Sequence, residues 1–154
     1  MITLKEYSEQ AHSFANYEQP SYPQFALFEE IGELIGKFAK LKRGDYKQDE
    51  KWHLLVKKEI GDLFWCLNEL IIIDKDTLDN VFQELSFAHK KRRGFNELLF
   101  LIFDSKNTLS FTVSLLLYLI YWQDYNLYEI LQLNIDKLND RKNRNVINGE
   151  GDNR

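Results

Sequence analysis

After Pro23 the sequence contains no further proline, and Pro20 and Pro23 are the only two in its 154 residues. Proline stops a helix more firmly than any other residue, because it lacks the backbone N–H and its ring clashes with the preceding turn. Glycine is also sparse, with seven in the chain. Long stretches are therefore left in which helices can propagate, and the expected fold class is all-α. The apolar residues repeat accordingly. Leu27, Ile31, Leu34, Ile35, Phe38 and Leu41 recur at steps of three and four over about 22–42, and Pro23 suits the first turn of that helix. A second series, Trp52, Leu55, Val56, Ile60, Leu63, Leu67 and Leu70, follows a start near Glu50.

The polar run 43–49, which contains Gly44, separates the two series, and the simplest connection is a helical hairpin. Further helices are expected over 77–92, 96–103, 108–122 and 127–144, with breaks at Gly94, 104–107 and 124–126, and another within residues 1–15. Residues 145–154 are polar with two glycines and read as a frayed tail. With 44% hydrophobic and 29% charged residues the composition is that of a folded domain, and the length suits a single one, 1–154.

Composition also excludes partners. A formal net charge of -4 offers no global basic field for nucleic acid. The apolar stretch 109–122 includes Ser110, Thr112 and Ser114 and falls short of the roughly 20 residues of a membrane span, so it reads as a buried helix with no membrane partner. Cys66 is the only cysteine, which rules out an intramolecular disulfide or a thiolate metal cluster. Residues 1–17 lack the basic, apolar and small-residue regions of a signal peptide, and the expected location is cytoplasmic.

Two acidic pairs carry the chemistry: Glu30 with Glu33, and Glu59 with Asp62, each at spacing i, i+3 on an expected helix. Within a pair both side chains point the same way. In an antiparallel hairpin, facing residues have numbers of constant sum, and Glu30/Asp62 and Glu33/Glu59 share one sum. That sum centres the turn on Tyr46, inside the polar run already assigned to the loop. Pair members lie about 4.5 Å apart along an axis and the axes about 8–10 Å apart, so four carboxylates can converge on a hard cation. Like charges about 5 Å apart repel by roughly 3 kcal/mol at an effective dielectric of 20. The carboxylates must therefore splay into water, take up protons with raised pKa values, or be neutralised by a divalent cation, for which magnesium, with manganese as a substitute, suits an all-oxygen donor set. The bland alternative is a solvated acidic face. Gly32 and Gly61 stand nearly opposite in the same register and are candidates for close approach of the two backbones, with ordinary core packing as the alternative.

The runs Phe28-Glu29-Glu30-Ile31-Gly32-Glu33-Leu34 and Glu59-Ile60-Gly61-Asp62-Leu63-Phe64-Trp65 resemble the ExxE and ExxD motifs of the MazG-like all-α nucleoside triphosphate pyrophosphohydrolases. A third segment, Asn134-Ile135-Asp136-Lys137-Leu138-Asn139-Asp140-Arg141, with the tail 148–154, is similar to the C-terminal end of phage and bacterial single-domain members. The resemblance implies a helical bundle around the hairpin. It also implies magnesium held by Glu30, Glu33, Glu59 and Asp62, and hydrolysis of (deoxy)nucleoside triphosphates to monophosphate and pyrophosphate. Asn134, Lys137 and Arg141 would lie near the triphosphate or sugar, and a homodimer or higher homo-oligomer would be the assembly. Base preference, including a dUTP or dCTP specialist, is left open. The chain departs from compact members of the family in a long insert, about 74–125, and in carrying Asn145 where related tails often have glycine.

Other readings compete. Phe14, Tyr17, Tyr22 and Trp52 could stack on a base, although aromatic residues at helical spacing usually serve the core. Lys90, Lys91, Arg92 and Arg93 form a basic cluster that suits either phosphate or a helix C-terminus. A ferritin-like di-iron site needs two Glu-x-x-His pairs, and only Glu50 with His53 qualifies. A non-catalytic helical interaction module derived from the same fold is the alternative function.

Overall fold

The computed structural model describes residues 1–81 and 108–146, of which 108–111 are described by their backbone alone. Its described elements are helices: α1 (Leu4–His12), α2 (Tyr22–Arg43), α3 (Glu50–Ile73), α4 (Thr108–Trp122) and α5 (Leu127–Asn143), with residues 78–81 also helical. No strand occurs among the described residues. The all-α expectation holds there, and the helix bounds agree with the periodicity to within a residue or two for α2 to α5. The expected helix 96–103, most of 77–92, the basic cluster at Lys90–Arg93 and the tail beyond Val146 lie outside the described residues. No described helix is long and apolar enough to cross a membrane.

Local chemistry sets several of the helix ends. Thr3 and Glu6 form a reciprocal capping box on α1, the Glu6 N–H donating to Thr3 Oγ1 at 3.2 Å and the Thr3 N–H to Glu6 Oε2 at 2.8 Å. Gly44 ends α2 with φ 92°, where a side chain would be strained, and Asp49 caps α3 by accepting from the Trp52 N–H at 2.9 Å. Asn126 caps α5 through the N–H groups of Tyr128 and Glu129. At the far end of α5, Asn145 takes the left-handed conformation with φ 56°, and the Val146 N–H returns to the Arg141 carbonyl at 2.9 Å. Asparagine thus closes this helix as a glycine would.

Helix α3 is the hub, packing against α1, α2, α4 and α5. Its buried residues run around most of its circumference, including the consecutive Glu59, Ile60 and Gly61, as a helix surrounded by others requires. Leu27, Ile31, Leu34 and Phe38 of α2 fill one side of it and Ile130, Leu131 and Ile135 of α5 another, while Val113, Leu115, Leu116 and Leu119 of α4 join the same core.

Two registers place the site. Along α2 and α3 the contacts Tyr22 with Trp65, Lys37 with Glu59 and Phe38 with Trp52 descend on one helix as they ascend on the other, so the pair is antiparallel, as expected for the hairpin. Between α3 and α5 the spacing in sequence is constant instead. His53 meets Tyr125, Lys57 meets Glu129 and Asp62 meets Asn134, each 72 residues apart, so these helices run parallel. The close approach that Gly61 permits belongs to this second interface. A Cβ at Gly61 would stand 3.0 Å from Asn134 Cβ, whereas one at Gly32 would meet nothing within 4 Å. The two glycines therefore do not bring α2 and α3 together. Gly61 admits α5, and Gly32 lies on an exposed face.

Candidate metal centre and adjoining cleft

Helix α2 carries Glu30 and Glu33 one turn apart, and α3 carries Glu59 opposite them. One carboxylate oxygen from each of these three lies within 4.8 Å of the others, although the side chains differ in exposure: Glu59 is buried, Glu30 half-buried and Glu33 exposed. The hairpin has thus brought three carboxylates from distant sequence positions into one small volume.

Asp62, the fourth residue of the expected set, takes a different set of partners. Its Oδ1 accepts from Asn134 Nδ2 at 3.0 Å and its Oδ2 pairs with the Lys137 ammonium, both from α5. Asn134 is buried and fully engaged, since its own Oδ1 accepts from the Tyr7 hydroxyl at 3.0 Å. Burial, with Asp62 close by, holds the Tyr7 phenol well above its usual range, so Tyr7 remains a neutral donor. The result is a hydrogen-bonded line from α1 through α5 to the edge of the carboxylate cluster.

The electrostatics follow from burial and crowding. Burial pushes the Glu30 carboxyl up to about 8, helped by the charges of Asp62, Glu33 and Glu59 and opposed by Lys137. Burial also raises Glu59 to about 7, where Lys37 opposes the shift and Asp62 and Glu33 add to it. Lys37 Nζ lies 2.9 Å from Glu59 Oε1. The converging oxygens of Glu30, Glu33 and Glu59 form a cluster of a size that could hold a metal ion.

Beside the cluster a cleft of about 80 Å³ opens between the α1–α2 loop, α2, α3 and α5. Glu30 and Asp62 stand at its acidic end and Arg141 contributes a guanidinium, while Tyr17, Tyr22 and Trp65 line its aromatic wall. Tyr17 and Tyr22 stack with ring centres 5.5 Å apart, and Trp65 meets both rings edge-on at 6.4 Å. Tyr17 is tethered from behind, its hydroxyl donating at 2.9 Å to Glu69, a wholly buried carboxylate that also meets His12 Nδ1 at 3.0 Å. Burial and the Glu69 hydrogen bond raise the Tyr17 phenol to about 12.

Of the residues singled out by sequence, Glu30, Glu33 and Glu59 converge, Asp62 adjoins them through its α5 partners, and Arg141 faces the cleft. Asn134 and Lys137 both meet Asp62. Among the four aromatics, Phe14, Tyr17 and Tyr22 line the cleft, whereas Trp52 is core, packed edge-on against Phe38 and donating its indole N–H to the Lys37 carbonyl at 3.2 Å. Sequence reading missed Lys37 and Trp65. Both were within reach, since Lys37 lies one turn beyond Glu33 and Trp65 three residues beyond Asp62 on faces already marked as functional. No family model, curated protein or solved structure matches this chain.

Proposed function

We propose that this protein is a magnesium-dependent nucleoside triphosphate pyrophosphohydrolase, cleaving the α–β phosphoanhydride to release a nucleoside monophosphate and pyrophosphate. The observation that carries the reading is the convergence of Glu30, Glu33 and Glu59 within 4.8 Å beside a cleft that combines an aromatic wall with Arg141. Those carboxylates are the ones marked by the ExxE and ExxD resemblance, and the cleft offers the two things a nucleotide needs besides a cation. Tyr17, Tyr22 and Trp65 present ring surface for a base, and Arg141 presents a planar donor fork for phosphate or sugar oxygens.

Glu30, Glu33 and Glu59 would hold the cation, with Asp62 completing the set from its place between Asn134 and Lys137. When bound, a divalent cation neutralises phosphate charge and makes a water more acidic. The chain's own groups perform the remaining tasks. Asn134 and Lys137 fix the Asp62 carboxylate, so that its orientation does not depend on ligand. Lys137 and Arg141 sit on one face of α5 and bring positive charge toward the polyphosphate. Water attacks the α-phosphorus, the bridging P–O bond breaks with its electron pair leaving on pyrophosphate, and whichever of Glu30 and Glu33 stands outside the cation's tight shell accepts the proton from the water. No covalent enzyme intermediate is required.

Glu59→Gln and Asp62→Asn test the assignment. Each should lower magnesium-dependent pyrophosphate release by more than the roughly 10–100-fold typical of losing an outer partner of a metal ligand. Full activity in both variants would refute it.

A further inference from the structure

Lys37 is the one lysine that reaches into the carboxylate cluster from the same helix as Glu30 and Glu33. Its ammonium lies 2.9 Å from Glu59 Oε1, and the pair is shielded from water, the side chains being 11% and 5% exposed. Glu59 is at the same time one of the three residues whose oxygens converge within 4.8 Å. The ammonium opposes the charge of this buried carboxylate, and a cation entering the cluster must approach that ammonium or displace it. Asp62 has a comparable partner in Lys137, but that lysine comes from α5. Lys37 instead extends from α2, one turn past Glu33, and its backbone carbonyl is held by the Trp52 indole at 3.2 Å, which fixes the turn from which it reaches.

We propose that Lys37 is the resident counter-ion of the cluster: it holds Glu59 in place while the site is free of metal and competes with the divalent cation for that carboxylate. This rests on the cation-binding reading above and adds a positioning residue that sets how tightly the cation is held. Two consequences follow from simple electrostatics. Removing the ammonium charge strengthens the attraction of the cluster for a dication, because a nearby like charge is lost. Keeping the charge in another form preserves the competition.

The experiment measures Mn2+ binding to the full chain by electron paramagnetic resonance, with no nucleotide present and all variants compared in the same buffer. Lys37→Met should bind Mn2+ at least about tenfold more tightly than the wild type, and Lys37→Arg should stay close to wild type. Thermal melts by circular dichroism establish that each variant is folded, and Lys37→Gln, which keeps a donor without the charge, serves in place of Lys37→Met if the latter does not fold. Equal or weaker Mn2+ binding by the folded uncharged variant, with the wild type binding normally, overturns the counter-ion role and leaves the cation site standing. A wild type that binds no Mn2+ overturns both.

Discussion

Raising the pH without metal should destabilise this fold, and a divalent cation should reverse the effect. In the metal-free protein the Glu30 and Glu59 carboxyls are raised to about 8 and about 7 from an ordinary 4.5. A carboxyl whose pKa is higher in the folded state contributes stability that is fully present below about pH 4.5 and is lost as the pH rises through the folded value, because over that range the unfolded chain has released a proton that the folded state still holds. Each pKa unit corresponds to about 1.4 kcal/mol. Burial is the main cause for both, and counting the pair as a single titration raised by about three pH units removes roughly 4 kcal/mol between about pH 5 and pH 8. For a chain of this size, 1 kcal/mol moves the melting temperature by about 2–4 °C, giving a fall of about 10 °C. A cation at a hundred times its dissociation constant returns about 2.7 kcal/mol. That return should be large near pH 8.5 and small near pH 5, where protons occupy the same oxygens. Scanning calorimetry at both pH values, with EDTA or with excess Mg2+, makes the comparison. A melting temperature in EDTA that is flat or rises across this range, or a magnesium effect equal at both ends, would refute the reasoning.

The remaining predictions concern packing and the cleft. Gly61→Ala forces a Cβ to 3.0 Å from Asn134 Cβ and should destabilise by about 1–3 kcal/mol through overpacking, whereas Gly32→Ala meets nothing and should stabilise by up to about 1 kcal/mol through helix propensity; urea melts distinguish the two. Tyr7→Phe leaves the buried Asn134 Oδ1 without its donor and should cost about 1–3 kcal/mol in the same assay. Tyr17→Phe releases the ring from Glu69 while keeping its aromatic surface, so it should raise the KM for nucleotide more than it lowers kcat; an unchanged KM would remove Tyr17 from the cleft wall.

How much of this was legible in the sequence depended on how far apart the interacting residues lie. The hairpin could be read because its two helices are neighbours in the chain, both carry strong apolar periodicity, and the loop between them is polar. The shared register of the acidic pairs predicted that Glu30, Glu33, Glu59 and Asp62 converge, and the first three do, while Asp62 pairs with Asn134 and Lys137 of α5. Helix α4 could be bounded because an apolar run has sharp polar edges. The docking of α5 alongside α3 was beyond periodicity, which states that a helix has an apolar face but not what that face meets. For this reason the sequence left the purpose of Gly61 open between close approach to α2 and core packing, and the partners of Asp62 were not foreseen. Asn134 and Lys137 carried a plausible ligand chemistry in sequence, and only the parallel register shows that both reach Asp62. The buried link from Glu69 to Tyr17 was illegible for the same reason, since its members come from α1, the following loop and α3.

The most direct test is to incubate the protein with each ribo- and deoxyribonucleoside triphosphate and Mg2+ and to identify the products by anion-exchange chromatography. At least one nucleotide should yield its monophosphate and pyrophosphate in equal amounts, with no turnover in EDTA. Release of orthophosphate with a diphosphate, or no turnover of any nucleotide by folded protein that binds Mg2+, would contradict the proposed reaction.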